Sequence, residues 1–195
     1  MKLWFSFVLS ALFLIPAAGH AQVGLYINPV ASRISTSTAD SGTFAFLGDG
    51  EKSRWFTGVN IGGYYDRYHG KSVDVGFDLR DTYVGSNNAR LNNFLVGVRV
   101  VGKNWLGPSW RPYVQLSGGA ATTRAPHSTI RTTRADWEAF AGADYKLTRA
   151  INIRAIEVGY GSLTTISSAT VGSAATSLPG SKQLQVSAGI VFRIR

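Results

Sequence analysis

Hydrophobic and polar residues alternate along most of the chain after position 22. The clearest example is residues 72–81, where Val73, Val75, Phe77 and Leu79 alternate with Asp74, Gly76, Asp78 and Arg80. A period of two is typical of β-strands that have one apolar and one polar face. Eight such segments predict eight strands, at about 23–34, 55–66, 72–81, 93–102, 111–121, 136–147, around 156–161, and 184–195.

Two of these segments contain an irregular position. Pro29 lies inside the first, and because proline cannot donate to a strand ladder it suggests a bulge there. Arg154 shares the apolar face of Ile156 in the seventh segment, which requires the charged end of the side chain to reach an interface.

The connections between the predicted strands alternate between long and short. Long connections are predicted at 35–54, 82–91, 122–134 and 163–182, and shorter ones at 67–71, 103–109 and 148–149. In an up-and-down barrel every second connection lies at the same end, and outer-membrane barrels combine short periplasmic turns with long external loops. The last strand must also pair, because a free edge promotes aggregation, and the first strand is a candidate partner. The pattern therefore predicts an all-β fold, an eight-stranded antiparallel up-and-down transmembrane β-barrel.

Residues 1–21 have the pattern of a secretory signal peptide. Lys2 precedes an apolar run, and small residues surround a predicted cleavage site after Ala21. The mature domain is then predicted to span 22–195. The chain has no Cys, which excludes disulfides, thiol catalysis and a lipid-modified N-terminal cysteine. The net charge is +9, but the predicted export argues against nucleic acid as a partner.

Alternation alone does not show which face of a barrel is outside. The polar faces contain mostly Gly, Ser, Asn and Gln, and charged residues make up only 16% of the chain, which favours a narrow filled lumen over a water-exposed wall. The apolar faces carry aromatic residues near the strand ends, as a membrane girdle requires: Trp55, Tyr65, Trp137, Tyr145 and Tyr160. A soluble periplasmic lipocalin-like carrier, with the apolar face inside, is the alternative.

Charged residues on the polar faces predict a network inside the barrel. Its predicted members are Asp74, Asp78, Arg80, Arg99, Glu138, Asp144, Lys146, Glu157 and Arg193. Pairing Phe77 with Val96 would bring Asp74 opposite Arg99, which would compensate both charges. An eight-stranded barrel is only wide enough for its own side chains, so a polar plug with little or no conductance is expected. A narrow porin for small solutes is the alternative.

The signal peptide, the eight amphipathic segments, the loop pattern and the terminal "SAGIVFRIR" resemble the small eight-stranded outer-membrane barrels typified by the OmpA membrane domain and OmpX. This resemblance implies a bacterial outer-membrane location and contact with outer-membrane lipid and the barrel-assembly machinery. Members of that group commonly end on an aromatic residue, whereas here Phe192 is followed by three residues and Arg195 is last.

Candidate chemistry in the loops is sparse. His127 and Ser128, with Glu138 nearby in sequence, raise the alternative of an outer-membrane lipid-modifying enzyme, although Glu138 is predicted to face the lumen. The histidines have no second ligand nearby, so no metal and no cofactor is predicted. Arg124, Arg131 and Arg134, placed in the third long loop, are candidates for contact with lipopolysaccharide phosphates. The sequence thus predicts a non-enzymatic outer-membrane protein of structural or surface-interaction type, and it does not identify a ligand for the loops.

Overall fold

The computed structural model describes residues 22–42, 45–126, 128–129, 131–163, 165 and 180–194. Eight strands form a closed barrel in sequence order: β1 (Gln22–Ser35), β2 (Ser53–His69), β3 (Val73–Ser86), β4 (Ala89–Gly102), β5 (Trp110–Arg124), β6 (Arg131–Lys146), β7 (Ile151–Leu163) and β8 (Ser181–Ile194). Every neighbouring pair is antiparallel, and β8 closes on β1. This confirms the predicted fold class. None of the described residues forms a helix long and apolar enough to span a membrane.

The apolar faces of the strands point outward. Phe77 and Leu116 are 58% and 64% exposed, whereas Arg80 is 1% exposed inside the barrel. The five predicted girdle residues, Trp55, Tyr65, Trp137, Tyr145 and Tyr160, all lie on this outer surface. A continuous apolar wall around a polar interior is the arrangement of a membrane barrel and the reverse of a lipocalin.

The two ends of the barrel differ in their connections. One end, called the loop end below, is where β1, β3, β5 and β7 end and where β2, β4, β6 and β8 begin. The other, called the terminal end, carries residues 70–72, 103–109 and 147–150 and the beginning of β1 and end of β8. The signal peptide predicted at 1–21 lies outside the described residues and stays a prediction.

The predicted long connection at 82–91 is wrong. β3 and β4 continue to a two-residue turn in which Asn87 and Asn88 have φ angles of 45° and 64°. Positive φ at both central residues is the requirement of a type I′ hairpin turn, and asparagine tolerates it. The turn fixes a register in which Phe77 faces Val98, two residues from the predicted pairing with Val96. A shift of two residues keeps every side chain on its predicted face.

Pro29 interrupts one ladder but causes no bulge. β1 pairs with β2 in unbroken register past Pro29, which points outward, whereas the ladder with β8 lacks pairs at Asn28 and Pro29 and resumes in the same register at Val30. In β7, by contrast, the register shifts between Arg154 and Glu157. The extra residue of this bulge directs both of these side chains into the lumen and leaves Ile156 on the outer face.

Candidate functional site in the barrel lumen

The middle of the lumen contains a charge cluster in which cations and anions are balanced. We call it the charged core; its members are Arg80, Arg99, Arg154, Asp78, Asp144 and Glu157. All six side chains are at most 2% exposed. Because a buried charge without a partner is costly, the equal number of guanidinium groups and carboxylates offsets the cost of burying all six.

Glu157 joins two of the three arginines. Both of its oxygens accept hydrogen bonds from Arg80, at 2.8 Å each, in the bidentate geometry that suits guanidinium and carboxylate. Arg154 donates to the same carboxylate at 3.2 Å, and Ser187 donates at 3.0 Å. Glu157 is therefore the most highly connected carboxylate of the charged core.

Asp144 joins the other side of the charged core. It accepts hydrogen bonds from Arg99 at 2.8 Å and from Arg154 at 3.0 Å. Arg154 thus bridges Asp144 and Glu157. The ambiguous facing of Arg154 in the sequence is resolved by the bulge in β7, which makes it a central member of the network.

Aromatic rings cover the guanidinium groups. Arg99 lies between Tyr64 and Tyr113, 4.0 Å from each ring centre, and Arg80 lies 3.8 Å from Phe140. Cation–π contact stabilises a desolvated cation without adding a charge. The tyrosine hydroxyls also join the network, since that of Tyr26 donates to Asp78 at 3.0 Å.

The rings fit because glycines of the neighbouring strands leave room for them. A Cβ at Gly24 would lie 2.2 Å from the ring of Tyr64, and a Cβ at Gly159 would lie 2.5 Å from Phe140. Alternation places Tyr64 and Tyr113 on the polar faces, but it does not predict that these rings pack against glycines and guanidinium groups. The signal was the recurrence of glycine on the polar faces, which indicates close approach of another group.

Asp74 lies at the terminal end of the lumen and not beside Arg99. Its carboxylate contacts His69 at 2.8 Å, Lys103 at 2.7 Å and Arg111 at 2.8 Å. The predicted Asp74–Arg99 pair is therefore wrong, because the hairpin turn sets Gly76 opposite Arg99.

Arg193 and Lys146, which were also predicted members of the network, lie outside the charged core. Arg193 is buried at the terminal end, where it donates to Gln22. Lys146 is exposed at the end of β6 and forms no salt bridge with any described residue.

Toward the loop end, the acidic residues are held by amides. Glu138 accepts hydrogen bonds from Asn93 at 2.9 Å and from Gln185 at 2.8 Å. Asn93 also donates to Asp136 at 2.8 Å. Neither carboxylate has a salt bridge to a cation among the described residues. This amide layer separates the charged core from the loop end.

The lumen is closed at the loop end by buried apolar side chains. We call this set the apolar cap: Val30, Ile34, Phe46, Leu47, Phe56, Val84, Ala89, Leu91, Ala121, Ala125 and Leu163. Phe46 and Leu47 come from the connection 36–52 and are buried inside the barrel. The ring of Phe46 stacks parallel to that of Phe56, with 5.0 Å between the ring centres. Asp40 holds this fold of the connection, because its carboxylate accepts the backbone N–H of Leu47 at 2.9 Å. Sequence reasoning did not predict that a loop would enter the barrel.

The residues suggested for lipid-modifying chemistry do not form a catalytic arrangement in the part of the chain that the structure describes. Glu138 points into the lumen, whereas Ser128 lies in the connection between β5 and β6. His127 lies outside the described residues. Among the described side chains, no group of three or more His, Cys, Asp or Glu residues is placed to hold a metal ion.

Comparisons with known proteins agree with this architecture. Neisserial surface protein A shares the fold at 12% identity, with a TM-score of 0.57 over 89% of this chain and 98% of that one. Ail, the attachment invasion locus protein of Yersinia pestis, matches at 14% identity, with a TM-score of 0.54 over 90% and 99%. A second structure of Ail, in complex with the heparin analogue sucrose octasulfate, matches at 13% identity, with a TM-score of 0.52 over 90% and 99%.

At such identities these likenesses show the fold alone. No curated protein matches the sequence. A family model described as the outer membrane protein beta-barrel domain matches residues 5–192, which is nearly the whole chain. The resemblance stated from the sequence is thereby confirmed, and the chain belongs to the family of outer membrane protein β-barrel domains.

Proposed function

We propose that this protein is an integral outer-membrane barrel of structural or surface-interaction type, with a lumen that does not conduct. The loop end faces the cell exterior and presents the connections 36–52, 125–130 and 164–180, while the terminal end faces the periplasm. Outer-membrane barrels generally have short turns on the periplasmic side, which supports this orientation.

The observation that carries the proposal is the filling of the lumen by two different kinds of layer. The charged core occupies the middle of the barrel with arginine side chains that contact rings and carboxylates on several strands. The apolar cap then closes the loop end with Phe46 and Leu47 at 0% exposure. A solute would have to displace both layers, and each has its own energetic cost.

Planar-bilayer recording tests the closed lumen. The purified full chain is expected to give no conductance steps above an empty bilayer. A variant with Phe46→Ser and Leu47→Ser is expected to remain silent, because the charged core is unchanged. Steps in the wild type that grow in Arg99→Ala would contradict the proposal and favour the narrow porin.

Fractionation tests the membrane location. The full-length chain is expected in the outer-membrane fraction, with a gel mobility that changes when the sample is boiled. A closed barrel resists detergent until heating separates β1 from β8, and this produces the mobility change. A soluble protein without such a change would contradict the proposal.

A non-catalytic role agrees with the placement of the candidate catalytic residues. The carboxylate of Glu138 is occupied by amide donors inside the barrel and is separated by the wall from the lipid. An acid, a base and a nucleophile must lie within hydrogen-bond reach of one another for acyl chemistry. Purified protein that releases fatty acid from lipopolysaccharide, with loss of release in His127→Ala, would oppose this part of the proposal.

A further inference from the structure

Three arginines lie side by side on the outer wall at the loop end. Arg90 of β4 pairs with Arg124 of β5, and Arg124 pairs with Arg131 of β6. Arg90 and Arg124 point outward, since Leu91 and Thr123 next to them are buried in the lumen, and Arg131 lies on the same face because it pairs with Arg124. We call this set the arginine row.

The arginine row is unfavourable without a counter-ion. Like charges directly opposite one another on neighbouring strands destabilise a sheet. Among the described residues, no carboxylate forms a salt bridge with any of the three side chains. The Nε atom of Arg124 is also buried without a hydrogen-bond partner in that part of the chain. The row therefore offers several guanidinium donors to an anion, and guanidinium groups bind phosphate in bidentate fashion.

A polar row lies below the arginine row, toward the middle of the wall. Its members are Tyr83, Asn92, Thr122 and Thr133, which pair in register across β3 to β6. Thr122 and Thr133 share a hydrogen bond of 2.9 Å, and Asn92 donates to Asp81 at 2.6 Å. An open cavity of about 390 Å³ spans both rows, bordered by Tyr83, Arg90, Asn92, Thr122, Arg124 and Arg131. Such hydroxyl and amide groups suit the hydroxyl-rich surface of a sugar.

Small and apolar residues continue the same wall below the polar row. Ala120 lies between Phe94 and Ala135, and the next row contains Gly118 beside Trp137. The wall is thus cationic at the rim, polar next and apolar below. A phosphorylated glycolipid of the outer leaflet has its phosphate, its sugar and its acyl chains in the same order along the membrane normal.

We propose that Arg90, Arg124 and Arg131 bind a phosphate group of an outer-leaflet glycolipid such as lipopolysaccharide. The sugar lies against the polar row and an acyl chain lies along the small residues beneath it. This inference rests on the proposed membrane location. It also corrects the prediction that placed Arg124, Arg131 and Arg134 in a loop, because all three lie in strands and Arg134 points to the lumenal side, opposite Ala121.

The test compares two triple variants of the full chain that lose the same three positive charges. The first replaces the arginine row: Arg90→Gln, Arg124→Gln and Arg131→Gln. The control replaces Arg67, Arg134 and Arg149 by glutamine. These three are exposed and form no hydrogen bond or salt bridge with a described residue. Both variants are checked for heat-dependent gel mobility, so that failure to fold is separated from failure to bind.

Binding of purified lipopolysaccharide is measured in phosphatidylcholine nanodiscs at fixed ionic strength. The first variant is expected to bind at least about tenfold more weakly than the wild type, because it loses the charge-assisted hydrogen bonds from guanidinium to phosphate. The control is expected to stay within about twofold, because scattered exposed charges contribute little. The wild type is expected to bind enzymatically dephosphorylated lipopolysaccharide more weakly than intact lipopolysaccharide. The first variant is expected to bind the two forms with equal affinity.

Four results would overturn the inference. Equal weakening in both variants would show that only net charge matters. Unchanged binding of dephosphorylated lipid would exclude the phosphate as the recognised group. If the first variant loses binding to soluble sucrose octasulfate but still binds the lipid, the arginine row is a site for a soluble polyanion. If the wild type itself is not found in outer membranes, the proposed function fails; if it is found there and both variants bind lipid normally, only the inference fails.

Discussion

The charged core and the apolar cap fill the same barrel by opposite means. Every member of the charged core comes from a strand, and its stability depends on a match between cations and anions. The apolar cap combines strand residues with Phe46 and Leu47 of a loop, and it depends on volume and not on charge. A defect in the charged core should therefore leave a charge without a partner, whereas a defect in the cap should leave a space.

The largest expected effect is that of Glu157→Gln in the charged core. The substitution keeps the shape of the side chain but leaves Arg80 and Arg154 facing a neutral amide. Breaking a buried ion pair in this way typically costs about 3–5 kcal/mol. The free energy of unfolding, measured by urea titration in lipid vesicles, should fall by that amount.

Glu138→Gln is the matched control for that change. Its carboxylate is equally buried but accepts hydrogen bonds from the amide groups of Asn93 and Gln185. We expect a smaller loss of about 1.5–3 kcal/mol, the net contribution of hydrogen bonds to a charged group, because no buried cation loses its partner. Equal losses in the two variants would show that shape, and not charge balance, stabilises the middle of the lumen.

The next effect concerns the apolar cap. Phe46→Ala removes the ring that stacks on Phe56. The free energy of unfolding should fall by about 3 kcal/mol, which is in the lower part of the range for a buried phenylalanine because a loop can partly close the space. Phe46→Leu should cost less than about 1.5 kcal/mol, since it conserves most of the volume. The same urea titration measures both. A full loss in Phe46→Leu would mean that the stacking, and not the filling, stabilises the cap.

A smaller effect separates cation–π contact from charge in the core. Arg99→Lys keeps the positive charge beside Asp144 but loses the flat group that lies between Tyr64 and Tyr113. The loss should be about 2 kcal/mol, since two ring contacts weaken. The urea titration in lipid vesicles measures this loss. Stability equal to the wild type would show that the rings only fill space.

The contrast between the two regions also explains what could be predicted from the sequence. Alternation fixes the face of a strand residue, so the lumenal position of Asp78, Arg80 and Glu157 was readable before any register was known. The partner of each charge was not readable in the same way, because it depends on register. Alternation also allows the register that pairs Asp74 with Arg99, which is two residues from the one that the structure shows.

The apolar cap was not predicted, for a different reason. Phe46 and Leu47 lie in a stretch with many glycines and polar residues, which has no period and reads as an exposed loop. Their burial depends on tertiary contacts with Phe56 and on the bond from Leu47 to Asp40. Likewise, the sequence gives no clear sign of the bulge that turns Arg154 inward, because alternation alone leaves the facing of Arg154 ambiguous.

The smallest effect concerns the turn that aligns both regions. Asn87 and Asn88 set the register of β3 with β4, and this register places Arg80 in the charged core and Val84 in the apolar cap. Asn88→Val puts a branched side chain at a φ of 64° and should cost about 1 kcal/mol, the lower part of the penalty for a left-handed conformation. Asn88→Gly, the control, should be neutral or slightly stabilising, because glycine adopts positive φ without strain. If Asn88→Val leaves the free energy of unfolding unchanged, the strands determine their own register and the turn only follows it. If Asn88→Val lowers the free energy of unfolding more than Phe46→Ala does, the turn directs the pairing on which both the charged core and the apolar cap depend.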